Sequence, residues 1–503
     1  MFRKVLIANR GEIAIRVIRA CRELGIKTVA VYSEADVDAL HVRYSDEGYC
    51  IGPEEPIHSY LNIDKIINVA GKSKCDAIHP GYGFLSQIPA FARACEEIDI
   101  EFIGPSSKVL EMMGNKVEAR KTAVKAGVPV IPGNLEPSRN KEEAFDIAKK
   151  LGYPVLVKAV YGGGGKGMRK VSNENEMERI LELAILEAEA SFGGQNIYVE
   201  KFLPKVRHVE FQVLADKIGN TIHLGERECS LQRRYQKLVE ETPSTFVTES
   251  LRREMGKAAL EIVQTANYTN AGTVEFLIDQ NKRYHFLEMN TRLQVEHLIT
   301  EMVTGVDIVK AQIEIAAGQR FKLTQKDIVR KGHAMNCRIN AEDPKRGFVP
   351  SPGKIESYHQ PGGPGIRVDT HLYTGHSISV FYDPLIMKLA AWGNNRREVI
   401  QRMKNALNET AIVGVKTNIP FLRKIMEDKD FLKGAIHTRF IEERIKKLQL
   451  EPTVKDEEAA AIIAVITHHN RKRDFQAVIP KKENKAASLW KLAGRMKRAR
   501  RTR

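Results

Sequence analysis

Apolar positions change period twice within the first 32 residues. Residues 4–8 form a short apolar run, Ile13, Val17, Ala20, Cys21 and Leu24 then recur at helical spacing, Gly25 stops that pattern, and residues 27–32 are extended again. The spacing predicts a βαβ unit and hence an α/β opening domain. Further along, a strand and turn are expected over 77–86, helices over 115–127 and 141–151, and strands over 153–159, 197–203, 208–214 and 221–224. Residues 273–279 and 284–288 flank a turn-rich 280–283 and read as a hairpin.

Alternation is clearest between Glu288 and His297. In an extended chain Glu288, Asn290, Arg292, Gln294 and Glu296 share one face. Such a row is the solvent side of an amphipathic strand in most proteins. It also has a chemical reading, because Glu and Asn oxygens two residues apart suit Mg²⁺, while an Arg and a second Glu can hold and deprotonate a small anion. A four-residue loop pairs Asp279 with Tyr284 and therefore Glu275 with Glu288. Two carboxylates then oppose each other across the hairpin, and a divalent cation between them relieves the repulsion. A three-residue loop would turn Glu275 to the other face.

Composition narrows the class. At 503 residues the chain exceeds one core and suggests three or four domains, and 43% hydrophobic content is that of a globular protein. With no run of eighteen apolar residues and a strand pattern starting at Lys4, neither a membrane span nor a signal peptide is expected, and a cytoplasmic location is. Six cysteines without C-x-x-C spacing fit reduced structural thiols. Of the net charge of +16, residues 471–503 carry +11, from 13 Lys or Arg against Asp474 and Glu483, so the other 470 residues carry only +5. Nucleic-acid binding is thereby confined to the tail, where a solvated or partner-binding segment is the commoner explanation.

Several loops carry candidate chemistry. Asn9-Arg10-Gly11-Glu12 is not G-x-G-x-x-G, which argues against a dinucleotide oxidoreductase. Gly81 and Gly83 present Tyr82 in what is either a ligand loop or a plain turn. Gly162 to Gly165, then Lys166, Gly167 and Met168, follow a strand carrying Lys158. They lack a Walker ending and read as a flexible phosphate cover in preference to a linker. Residues 226–237 are dense in charge, either a surface loop or a source of cations for an acidic centre.

These motifs together resemble the biotin carboxylases of the ATP-grasp superfamily. The runs 79–86, 162–168, 232–237, 288–297 and 337–343 stand in that family's order, and the similarity extends over residues 1–447. The resemblance implies an α/β N-terminal domain plus an α+β ATP-grasp domain with mobile lid and an α+β C-terminal domain. Their expected spans are 1–113, 114–331 with the lid at about 132–203, and 332–447. It also implies roles for single residues. ATP positions are Lys116, Lys158, Gly163, Gly164, Gly165, Lys166, Gly167, Met168, Glu200, Lys201, Leu203, His208, Gln232 and Tyr235. The metal, Mg²⁺ or Mn²⁺, falls to Glu275, Glu288 and Asn290, the first two also counted with the nucleotide. Bicarbonate falls to Lys237, Arg292, Gln294, Val295 and Glu296, and biotin to Tyr82, Gly83 and Arg338. Glu296 is the implied base, and Arg338 faces the enolate-like ureido oxygen. The sequence departs from the family at Tyr235 for histidine, Leu298 for proline, and Gln87-Ile88 for Glu-Asn.

No Met-Lys-Met biotinyl site occurs, so biotin is expected on a partner, a carrier or carboxyltransferase chain, within a homodimer or hetero-oligomer. Residues 448–503 contain an apolar helix at 456–466 and a basic tail, read as a partner-docking segment or as disordered. The biotin carboxylase component of a pyruvate carboxylase is expected first, and that of an acyl-CoA carboxylase second. The competing classes are another ATP-grasp ligase and nucleic-acid binding through the tail.

Overall fold

The parallel sheet predicted at the N-terminus has five strands in the order Glu47–Gly52, Lys27–Ser33, Lys4–Ile7, Ala77–His79, Glu101–Phe102. The computed structural model describes residues 1–136, 138, 140–159, 168–192 and 197–448. The glycine run, with Gly163 to Gly167, and the segment 449–503, with the helix expected at 456–466, lie outside the described residues. Those described fall in one compact unit, Met1–Gln449.

The helix Gly11–Glu23 follows the central strand, and connections leave that strand in both directions, so a crevice opens between the carboxyl ends of Lys4–Ile7 and Ala77–His79. Asn9 bridges it, its Nδ2 donating to Pro80 O at 2.7 Å and Tyr82 O at 2.8 Å. Gly81 must be glycine here: its φ is +63°, and a Cβ would sit 2.8 Å from Asn9 Nδ2. The sheet's reversal thus sets the turn bearing Tyr82 and Gly83.

An antiparallel sheet of eight strands follows, in the order Tyr284–Asn290, Asn270–Ile278, Arg207–Ala215, Thr221–Arg233, Gln236–Thr242, His333–Asn340, Leu385–Gly393, Ile366–Thr370. It runs unbroken past residue 331, because Val239 pairs with Cys337 across the expected boundary. A smaller sheet of Met168–Val171, Val155–Ala159 and Ile197–Lys201, with helices Lys141–Leu151 and Glu174–Phe192, occupies the stretch expected to be the lid. Helices Arg396–Glu409, Ile419–Glu427, Lys429–Leu432 and Phe440–Leu448 are the last elements among the described residues. The mixed α/β architecture agrees with the expected fold class. Among the described residues no helix is long and apolar enough to cross a membrane.

Three expectations need correction. The hairpin loop has three residues, not four: Asp279 N donates to Arg283 O at 2.9 Å, Lys282 turns to φ +63°, and Asp279 Oδ1 accepts from the backbone N–H of Asn281 and Arg283. Phe276 then pairs with Phe286, and a bulge at Leu287 restores the pairing of Glu275 with Glu288. Second, the strand ends at Asn290, so alternation does not extend to Glu296, which caps the helix His297–Thr304. Third, of the two readings of 226–237 the surface loop is overturned, since Glu226, Arg227, Glu228 and Gln232 are buried in a strand, whereas Arg227 and Lys237 do bring cations to buried carboxylates.

Beneath the hairpin Phe276 packs edge-on against Phe211 and Phe286, with ring centroids 6.2 and 6.5 Å apart. Phe276→Ala is expected to destabilise by about 3–5 kcal/mol, read as a lower urea midpoint at unchanged slope.

Buried histidines make the fold acid-sensitive. Burial lowers His41 to about 4 and His79 to about 3, against an ordinary 6.5. Their folded values lie below the unfolded ones, so the stabilisation is complete above pH 6.5 and is lost as pH falls toward 4. Calorimetry in two buffers at pH 5.5 is expected to show net proton uptake on unfolding, and a urea midpoint unchanged from pH 7.5 would contradict this.

Candidate active site

A cavity of about 970 Å³ spans the crevice of the first sheet and one face of the second. At its centre Lys237 Nζ meets three carboxylates, Glu210 Oε2 at 2.5 Å, Glu275 Oε1 at 2.8 Å and Glu296 Oε1 at 2.8 Å. The three come from strands Arg207–Ala215 and Asn270–Ile278 and from the helix cap, while Lys237 begins the neighbouring return strand. Burial works against the ammonium, yet the carboxylates hold its pKa well above the ordinary lysine value. Burial likewise opposes ionisation of Glu296, but Lys237, Arg338 and Arg227 keep it well below the usual carboxylate range. Glu296 is therefore an ionised acceptor at neutral pH.

Arg338 closes one side, its Nη2 2.9 Å from Glu296 Oε2 and its Nε 2.6 Å from Glu240 Oε1. Arg292 lines the same wall. Its Nη1 donates to Gln294 Oε1 at 2.9 Å and its Nη2 to Asn290 Oδ1 at 3.0 Å, while Gln294 Nε2 reaches Glu275 Oε1 at 3.2 Å. Gln294, Val295, Arg338, Tyr82 and Gly83 all border the cavity. The chain turns after Asn290, so these groups converge by a bend in place of strand alternation.

On the other side Lys116, Lys158, Glu200, His208, Gln232 and Tyr235 line the cavity. Asn115 Oδ1 accepts from Val117 N at 2.9 Å and starts the helix that opens with Lys116. Burial lowers the Lys116 pKa, with Glu288 opposing. Lys158 bonds Glu200 Oε2, and Arg120 Nη1 takes Glu200 Oε1 at 2.7 Å, so Glu200 is ionised although buried. Gln232 Nε2 lies 2.7 Å from His208 Nδ1, and His208 Nε2 lies 2.9 Å from Glu275 Oε2. Tyr235 sits at the rim with φ +64° and is half exposed.

Lys201 and Leu203 do not border the cavity; Lys201 Nζ donates to Gly152 O at 2.7 Å. Met168 starts a strand. The sequence did not single out Arg120, Glu210, Arg227 or Glu240. Glu210 is legible in hindsight, two residues beyond His208 on the same strand face.

The hairpin carboxylates do not repel in the expected way, because Lys237 and His208 balance Glu275 and hold its pKa low despite burial. Glu288 differs. Burial and Glu275 raise its pKa, Lys116 opposes, and it makes no hydrogen bond among the described residues. A half-buried carboxylate that lines the cavity, cross-strand from Glu275 and two residues before Asn290, makes with them a hard oxygen set, which fits Mg²⁺ or Mn²⁺.

Three family profiles match end to end: "Biotin carboxylase, N-terminal domain" over 1–110, "Carbamoyl-phosphate synthase L chain, ATP binding domain" over 115–324, and "Biotin carboxylase C-terminal domain" over 336–443. A pyruvate carboxylase subunit from Methanothermobacter thermautotrophicus is 54% identical over 451 residues, 90% of this chain and 92% of that one. Biotin carboxylase 1 of Bacillus subtilis is 52% identical over 88% of this chain and 98% of its own. The biotin carboxylase domain dimer of 2-oxoglutarate carboxylase from Hydrogenobacter thermophilus, solved with MgADP, ADP and bicarbonate, superposes with a TM-score of 0.87 at 50% identity, covering 90% of this chain and 99% of that one.

Proposed function

The chain belongs to the biotin carboxylase family, and on that premise we propose that it uses ATP to activate bicarbonate and carboxylates biotin carried by a partner protein. The observation that carries this reading is the convergence of Lys237, Glu296 and Arg338 in one cavity whose lining also includes Lys116 and Lys158 and the turn at Tyr82 and Gly83.

Bicarbonate is a stable anion and a poor nucleophile. Lys237, Arg292, Gln294 and the backbone of Val295 would hold it, and Glu296 would take its proton as an oxygen attacks the γ-phosphorus of ATP. Lys116, Lys158 and the glycine run from Gly163 to Gly167 would balance the charge developing on the transferred phosphoryl group. A divalent cation held by Glu275, Glu288 and Asn290 supplies Lewis-acid neutralisation of the phosphates when bound. The products are ADP and carboxyphosphate, which breaks to CO₂ and phosphate. Phosphate then accepts the N1′ proton, Arg338 donates to the ureido oxygen as it gains charge, and N1′ attacks CO₂.

The acceptor beyond biotin is proposed to be pyruvate, on a carboxyltransferase partner. Support comes from the Methanothermobacter thermautotrophicus relative, whose name is that of a pyruvate carboxylase component. A 2-oxo acid, the class to which pyruvate belongs, is supported also by the 2-oxoglutarate carboxylase small subunit of Hydrogenobacter thermophilus, which aligns over 471 residues, 93% of this chain. The test is ADP release from ATP with Mg²⁺: it should require bicarbonate and rise on adding free biotin. Release indifferent to both would favour another ATP-grasp ligase. Co-purification of the native complex identifies the acceptor.

A further inference from the structure

Arg338 is gripped by two buried carboxylates, of which the reaction accounts for only Glu296. The other, Glu240, lies in strand Gln236–Thr242 with no exposed surface. The sheet register explains the contact. Glu240 pairs directly with Asn336 on the neighbouring strand, and Arg338, two residues on, shares that face. Both oxygens of Glu240 are committed, Oε1 to Arg338 Nε at 2.6 Å and Oε2 to Asn336 Nδ2 at 2.8 Å. The guanidinium is thus held at Nε by Glu240 and at Nη2 by Glu296, leaving Nη1 without a hydrogen bond to any described residue while Arg338 borders the cavity.

We propose that Glu240, braced by Asn336, is a positioning residue for biotin carboxylation that fixes the plane of the Arg338 guanidinium and keeps Nη1 free for the ureido oxygen. This rests on the reading that Arg338 faces biotin. Without Glu240 the planar fork of Arg338 is free to turn both parallel N–H groups onto Glu296, since bidentate pairing is the favoured geometry of an arginine beside a carboxylate. The base and the donor would then occupy each other. Glu240 prevents this by claiming the Nε edge. Stability alone does not demand the pair, because buried ion pairs are commonly replaced by apolar groups at no loss.

The test uses the full chain with free biotin as acceptor. Glu240→Gln preserves the shape but replaces the charge-assisted bond to Nε by a weaker neutral one, so that Glu296 draws both N–H groups, and Asn336 can flip its amide so that Oδ1, which has no partner among the described residues, accepts from the new NH₂. Glu240→Gln is expected to lower kcat/KM for biotin roughly 100-fold, the usual consequence of misplacing a reacting group, with the KM for ATP and the thermal midpoint held. Added to Arg338→Ala it should cause no further loss, because it acts through that residue. Asn336→Ala loosens the brace without altering either charge and serves as the second variant, with a smaller loss in the same direction.

Parental biotin kinetics in both Glu240→Gln and Asn336→Ala would overturn the proposal. So would an additional loss on top of Arg338→Ala, or a KM for ATP that moves in proportion. If Arg338→Ala itself carboxylates biotin at the parental rate, the assignment of Arg338 fails and that of Glu240 fails with it.

Discussion

Arg338→Ala is expected to lower biotin carboxylation roughly 10²- to 10³-fold, the usual loss when one preorganised donor to a developing oxyanion is removed. ATP affinity should hold, because Lys116, Lys158 and Glu200, proposed for the nucleotide, share no hydrogen bond with Arg338 among the described residues. The substitution also leaves Glu240 without a cationic partner, although Asn336 still donates to it and Lys237 still pairs with Glu296, and unpairing a buried charge typically costs about 3–5 kcal/mol. Carboxylation and nucleotide binding are therefore to be measured below the lowered melting temperature. Carboxylation at the parental rate would refute the role of Arg338.

Lys237→Met is expected to have the second large effect, and a different one. Its ammonium is the one group that touches Glu210, Glu275 and Glu296 together among the described residues, each of which has a further partner in Arg227, His208 or Arg338. Without it three buried carboxylates face one another, and a loss of about 3–5 kcal/mol is the minimum expected from unpairing buried charge. The sign of the pH dependence is distinctive. Deprived of Lys237, the carboxylates lose a stabilising cation and their folded pKa values rise relative to the parent's, so the variant's deficit is smaller at low pH and grows as pH rises. Urea midpoints should show the variant closer to the parent at pH 5 than at pH 8. Bicarbonate-dependent ATP turnover should fall with it, since both the anion and Glu296 lose their cation. An equal deficit at both pH values would contradict the account.

The contrast between the two variants marks what sequence could and could not reveal. Local chemistry was legible: the βαβ opening, the capped helix at Lys116 and the hairpin each carry their signal within a few residues. The pairing of Glu275 with Glu288 was reached through two compensating departures. A loop one residue shorter shifted the register and the bulge at Leu287 shifted it back. A bulge leaves no local signature that a period-2 pattern can show. Buried charge was the harder case. Residues 226–237 have the composition of a surface loop, and only tertiary pairing of Arg227 with Glu210 and of Arg252 with Glu226 makes their burial tolerable. Glu240 and Arg120 were hidden for the same reason, because their partners lie about a hundred residues away.

The face from Glu288 to Glu296 remains the centre of the account, though bent after Asn290. Glu275, Glu288 and Asn290, proposed for the metal, and Arg292 and Gln294, proposed with Glu296 for bicarbonate, line one cavity, joined by the contacts of Arg292 with Asn290 and of Lys237 with Glu275 and Glu296. On the proposed function, bicarbonate is the group that accepts the phosphoryl from ATP. The most direct test supplies ¹⁸O-labelled bicarbonate with ATP, Mg²⁺ and biotin and follows the label by mass spectrometry of the phosphate released, with short reaction times to limit exchange into water. The account predicts phosphate carrying ¹⁸O from bicarbonate; unlabelled phosphate, with ATP consumed and biotin carboxylated, would contradict it.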